Sequence, residues 1–127
     1  MRIYVAAPWI NKSEARAAAE TLEKKGHTIT EKWWEHPEVD GYLRANCNDN
    51  DREELAYQAA QDVTGVLSAD AFVLLNLGKS EGKSVETGIA IISEVPRLIL
   101  IGGKSNLFHY LGPWEEFNSI EQAAEVL

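Results

Sequence analysis

Ala71-Phe72-Val73-Leu74-Leu75 is followed, seven residues on, by Gly82-Lys83-Ser84-Val85-Glu86-Thr87-Gly88. An unbroken apolar run of this length reads as a strand buried on both faces. The glycine-flanked segment behind it reads as the turn into a helix. A strand covered on both faces, then a helix, is the repeating unit of a parallel α/β sheet. The turn also places one carboxylate, Glu86, where the strand gives way to the helix. Exposed amides and the positive end of the helix dipole would favour its ionised form there. A carboxylate held ionised in such a turn is a candidate nucleophile. It is equally explained as a solvated residue placed to suit the dipole.

Outward from this unit the same alternation recurs. Residues 3–7 form an apolar run that Pro8 ends. Asn11 with Glu14 three positions on has the form of a capping box, and residues 13–25 carry Ala15, Ala18, Ala19 and Leu22 at helical spacing, with Gly26 as a stop. Residues 27–32 alternate as a strand does. Residues 51–66 form a second amphipathic helix led by Asp51, Glu53 and Glu54. A third strand spans 71–77, a third helix includes 85–92, and a fourth strand spans 97–101 before Gly102-Gly103. Residues 114–117 carry a weak signal for a fifth edge strand, and Ser119 with Gln122 opens a terminal helix. Between strand 2 and the second helix, residues 35–50 are polar and contain Pro37 and Gly41, which predicts a long loop or lid.

Strands alternating with helices predict right-handed crossovers and a parallel sheet. Four or five strands over 1–127 predict a single flavodoxin-like three-layer domain, of order 2-1-3-4-5. The crevice then opens at the carboxyl ends of strands 1 and 3. Residues 7–11 and 77–86 should line it, and the second segment contains Glu86.

Composition narrows the partners. A net charge of −8 opposes unassisted binding to a nucleic-acid backbone. The single cysteine, Cys47, excludes a disulfide within the chain and a Cys-rich metal site. The chain runs from Met1 straight into the first strand pattern, and no apolar stretch approaches the roughly 18 residues of a membrane span. The expectation is a cytoplasmic protein without membrane association.

Several constellations bear on chemistry. Gly78-Lys79-Ser80-Glu81-Gly82-Lys83-Ser84 resembles a P-loop but has three residues, not four, before its Gly-Lys-Ser, and strand 4 ends without an Asp for Mg²⁺. Its hydroxyls and glycines remain suited to a single phosphate. Tyr4 lies in the first strand, where core packing explains most tyrosines. Asp62 sits late in the second helix, where most aspartates are exposed. Trp9, Trp33 and Trp34 lie near the ends of strands 1 and 2, as a stacking surface for a planar base or as rim packing. His27, His36 and His109 show no ligand-like spacing, so no metal site is predicted. No serine lies in a nucleophile-elbow motif.

Four segments together resemble the nucleoside 2-deoxyribosyltransferases: Ile3-Tyr4-Val5-Ala6-Ala7-Pro8-Trp9, Gln61-Asp62-Val63-Thr64-Gly65-Val66, Ala69-Asp70-Ala71-Phe72-Val73-Leu74, and residues 82–90 around Glu86. They occur in the family's order and at about its spacing. The resemblance implies a subunit that assembles into homodimers or larger homo-oligomers with shared active sites, and that needs no cofactor. It implies Glu86 as the nucleophile that attacks C1′ of a 2′-deoxynucleoside and forms a covalent glycosyl-enzyme, resolved by an acceptor base or water. It implies Asp62 near the sugar hydroxyls and in proton delivery, and Tyr4 as the residue that orients the nucleophile. Asn106-Leu107-Phe108 resembles the segment that reaches into a neighbouring subunit's site, so Asn106 and Phe108 are candidate substrate contacts beside Trp9, Gly82 and Ser84.

One position departs from the transferases, which carry an acidic residue six positions before the nucleophile. Here it is Ser80, as in the related deoxynucleoside 5′-monophosphate N-glycosidases, where a serine meets phosphate. Residues 8–12 after strand 1 are closer to the transferases. Three alternatives therefore stand: a monophosphate N-glycosidase, a non-catalytic nucleotide-binding module, and a NAD glycohydrolase, the last without any dinucleotide signal.

Overall fold

The computed structural model describes residues 1–39 and 47–127. Five strands form one parallel sheet: β1 (Arg2–Ala6), β2 (Thr28–Ile29), β3 (Ala71–Leu75), β4 (Arg97–Ile101) and β5 (Trp114–Phe117), in the order β2-β1-β3-β4-β5. The predicted order is therefore observed, and residues 114–117 do supply the edge strand. The apolar runs become the central strands because both of their faces are covered. Every residue of β3 is buried, and so are the last four of β1 and of β4.

Among the described residues four α-helices cover the sheet: α1 (Lys12–Lys24), α2 (Asp49–Leu67), α3 (Glu81–Ile92) and α4 (Ile120–Val126). α1 packs on α4 and α2 on α3, which gives a helical layer on each face. Ala15, Ala18, Ala19 and Leu22 form the buried stripe of α1, as their spacing predicts. Among the fully buried side chains are Tyr4, Phe72, Ile3, Leu22, Leu74, Ile99 and Leu100. Burying an aliphatic or phenyl side chain of this kind contributes about 1.5–3 kcal/mol. Among the described residues no helix is long and apolar enough to cross a membrane.

Four boundaries differ from expectation, each for a local reason. β2 has only two residues, because the chain leaves the sheet edge for a 3-10 turn over Trp33–Glu35. α1 lacks the predicted capping box: Asn11 is its N-cap residue but its side chain makes no capping bond, and Glu14 instead accepts from Ser13 Oγ at 3.0 Å. α2 begins two residues early because the capping box belongs to Asn48 and Asp51, which exchange bonds of 2.8 and 3.2 Å. α3 begins at Glu81, four residues before the stretch 85–92 that the sequence places in it. Ser80 is its N-cap, accepting from the Lys83 backbone N–H at 3.3 Å, so Gly82 lies in the first helical turn rather than in a loop. The centre of the predicted lid, residues 40–46, lies outside the described residues.

Candidate active site

The early start of α3 changes the position of Glu86. It stands in the second turn, past the exposed amides, and reaches the carboxyl end of β1. There it accepts a short hydrogen bond from the hydroxyl of Tyr4. Tyr4 is fully buried, and its ring lies parallel to that of Phe72, its register partner on β3, with centroids 5.9 Å apart. A tyrosine held this way has one direction for its hydroxyl, and that direction is Glu86.

The expectation that Glu86 is held ionised by the helix start is overturned. Burial pushes its carboxyl up to about 8. The Tyr4 hydrogen bond opposes this, and the nearby charge of Asp62 adds to it. Tyr4 is itself pushed far above the ordinary phenol range, first by burial and then by Glu86, Asp62 and Glu31. It therefore acts as a donor and not as an anion.

Asp62 comes from α2. Burial pushes its carboxyl up to about 6, opposed by His36 and assisted by Glu31. Its Oδ1 is buried and has no hydrogen-bond partner among the described residues. Three residues on, Gly65 explains how α2 comes this close. A Cβ there would lie 2.7 Å from Glu31 Cβ and 3.0 Å from the Tyr4 ring. The Asp-x-x-Gly spacing thus has a packing cause: the missing side chain lets the helix bring Asp62 beside Tyr4. Gly65→Ala is expected to lower stability by about 1–3 kcal/mol through overpacking, although Ala normally improves a helix interior. Chemical denaturation checks this, and an unchanged or raised midpoint would contradict it.

These groups open on a cleft of about 1020 Å³, lined among others by Trp9, Trp33, His36, Asp62, Ser80, Gly82, Lys83 and Glu86. It lies at the carboxyl ends of β1 and β3, as the topology requires. Its aromatic wall is fixed: Trp33 donates from Nε1 to the Val5 carbonyl at 2.7 Å, and Trp9 leans on Trp33 with centroids 5.9 Å apart. Trp34 is buried edge-on behind Trp33. Lys12 stands 4.5 Å over the Trp9 ring.

No known protein-family pattern and no curated protein sequence matches this chain. Solved structures do. The chain superposes on a 2-deoxyribosyltransferase of Bacillus psychrosaccharolyticus with a TM-score of 0.66, over 98% of this chain and 90% of that one, at 18% identity. It superposes on a CMP N-glycosidase of Clostridium botulinum with a TM-score of 0.56, over 99% and 97%, at 16% identity. The fold is that of the 2-deoxyribosyltransferases. At such identities the likeness concerns the path of the backbone, and the chemistry rests on the side chains.

Within the deoxyribosyltransferase fold the sequence-derived candidates separate into two groups. Tyr4, Asp62, Glu86, Trp9, Ser80 and Gly82 are brought to the cleft or its floor. Ser84, Asn106 and Phe108 do not line it. Ser84 is exposed and its hydroxyl donates to the Ser80 carbonyl at 3.0 Å. Asn106 caps the 3-10 turn Leu107–Tyr110 by accepting from the Phe108 N–H at 2.9 Å, and Phe108 points largely to solvent.

Two features are visible only in the tertiary structure. Lys83 is buried, with its ammonium donating to Asn76, whose amide in turn bonds the Gly103 carbonyl at 2.8 Å and Ser105 Oγ at 2.9 Å. This ties the cleft floor to the loop after β4. His36 lies between Glu31 and Asp62, and one ligand-type atom from each of the three falls within 4.8 Å of the others. Spacing along the chain gives no sign of this group, since its members come from the segment after β2, the residue that closes a 3-10 turn, and a distant helix.

Proposed function

We propose that this protein breaks and remakes the N-glycosidic bond of 2′-deoxynucleosides, transferring deoxyribose to an acceptor base through a glycosyl-Glu86 intermediate. One observation carries the reading: three segments far apart in sequence bring Tyr4, Glu86 and Asp62 together on the floor of a cleft walled by tryptophan. The ionised Glu86 carboxylate attacks C1′ while the bond from C1′ to the base nitrogen breaks. The transition state carries oxocarbenium character, which an adjacent anion stabilises and then traps. Asp62 supplies the proton that turns the base into a leaving group. Tyr4 holds one carboxylate oxygen, so that the other faces the sugar. An incoming base then attacks the ester and restores the original configuration.

Asn106 and Phe108 fit this reading as contacts offered to a neighbouring copy. They do not line their own cleft, and Leu107, Phe108, Tyr110 and Leu111 form an exposed apolar group beside them. The reading therefore includes a homodimer or larger assembly with shared sites.

The solved CMP N-glycosidase favours a second reading, hydrolysis of a nucleoside 5′-monophosphate. Two side chains that suit phosphate already have duties here. Ser80 Oγ caps α3, and the Lys83 ammonium is bonded to Asn76. Incubating the protein with a deoxynucleoside or its 5′-monophosphate, with and without a different free base, separates the readings. The expected product is a new deoxynucleoside carrying the added base. Hydrolysis that requires the 5′-phosphate, or tight binding without turnover, overturns the proposal in favour of the hydrolase or of a binding module.

A further inference from the structure

Glu31, His36 and Asp62 form a chain that the roles above leave unused. His36 Nε2 lies 2.8 Å from Glu31 Oε1, and His36 Nδ1 lies 3.9 Å from Asp62 Oδ1. The imidazole is largely buried, at 9% side-chain exposure, so its two contacts are set by packing. A carboxylate only accepts, so Glu31 places a proton on Nε2 and turns Nδ1 toward Asp62. Asp62 Oδ1, buried and without a hydrogen bond among the described residues, is the atom that Nδ1 faces. At 3.9 Å the two atoms are about 1 Å farther apart than a hydrogen bond allows, so a small movement joins them. Among the described residues, the other groups around the chain are acidic or phenolic: Asp62 acts on Glu86 from α3, and Tyr4 from β1 feels Glu86, Asp62 and Glu31. In this acidic cluster His36 is the base.

We propose that His36 is a positioning residue that loads Asp62 with its proton, with Glu31 holding the imidazole in place. This deepens the glycosyl-transfer reading and rests on it. One proton is in play. It lies between His36 Nδ1 and Asp62, passes through the Asp62 carboxyl to the departing base as the C1′–N bond breaks, and returns from the N–H of the acceptor base when the Glu86 ester opens. Glu31 holds the Nε2 proton in its 2.8 Å hydrogen bond throughout. The same trio has the atom types of a metal site, but the 2.8 Å Glu31–His36 bond already uses two of its ligand atoms.

The test compares two leaving groups. An ordinary deoxynucleoside such as 2′-deoxyadenosine needs a proton to release its base. 7-Methyl-2′-deoxyguanosine carries a cationic base that leaves as a neutral molecule and needs none. His36→Gln and Glu31→Gln are each expected to lower kcat for deoxyadenosine by about 10- to 100-fold, the span of a weakened general acid, with KM changed little. For the methylated substrate kcat should stay within about twofold, since no proton is transferred to the leaving base. Thermal melts report whether the variants fold, and Glu31→Gln keeps the Cβ that packs near Gly65. Equal loss on both substrates, or no loss on either, overturns the relay. So does a wild-type activity that Zn²⁺ raises and His36→Gln abolishes, which makes the trio a metal site. Failure of the wild type to cleave either substrate is a different result: it removes the glycosyl-transfer reading itself.

Discussion

Glu86→Gln is expected to abolish turnover and, above neutral pH, to make the protein more stable. The loss of activity follows from the proposed covalent step, because an amide cannot form the glycosyl ester. A decrease of at least about 10⁴-fold is expected, as for removal of other covalent nucleophiles. The gain in stability follows from burial. The folded protein raises this carboxyl from 4.5 to about 8. Below pH 4.5 the group is protonated in folded and unfolded chains alike, and its titration contributes nothing. Between 4.5 and about 8 the unfolded chain releases a proton that the folded one retains, so stability falls as pH rises. Above about pH 8 the whole cost is present, on the order of 2–5 kcal/mol. Glutamine keeps the shape and an oxygen for the Tyr4 hydroxyl, and it carries no charge. Melting curves for the two proteins should coincide near pH 4 and separate near pH 8.5, with the variant higher. Equal melting at both pH values would show that Glu86 titrates as an ordinary carboxylate. Residual turnover within tenfold of wild type would remove it as the nucleophile.

Asp62→Asn is the second large effect. Loss of a general acid lowers kcat by about 10²- to 10⁴-fold, and here it should also change the shape of the pH profile. The proposed reaction needs Glu86 ionised and Asp62 protonated. Glu86 titrates near 8 and Asp62 near 6, the reverse of what the reaction wants. The reactive arrangement is therefore a minor form of the singly protonated pair. The rate should peak near neutrality and fall on both sides, with limits that belong to the pair. With Asn at position 62 no acidic proton is required, so the alkaline limb disappears. The acid limb remains and moves to lower pH, because the Asp62 charge no longer raises Glu86. A kcat/KM profile for each protein checks this. An Asp62→Asn profile that keeps the alkaline fall would assign that limb to another group.

These expectations depend on features of unequal visibility in the sequence. The alternation of apolar runs and amphipathic stretches predicts the five-stranded order, because covered strands and helix stripes have local periods of their own. Glu86 stands out from the turn pattern alone, the roles of Tyr4 and Asp62 come from the resemblance, and the cleft brings the three together. Gly82 reads as a turn in the sequence, whereas in the first turn of a helix capped by Ser80 a glycine costs little. The start of α3 at Glu81 is what separates a carboxylate at a helix start from one buried against Tyr4.

The local pattern of residues was enough to determine a parallel sheet of order β2-β1-β3-β4-β5, with a crevice beyond β1 and β3. It also sufficed to put Glu86 at that crevice. Only the tertiary structure decided the charge state of the site. Burial raises Glu86 and Asp62, Gly65 lets α2 approach Tyr4, and Glu31 and His36 meet Asp62 from segments without regular spacing. Secondary structure depends on neighbours along the chain. Protonation depends on desolvation and on charges through space, and both arise only when distant segments pack together.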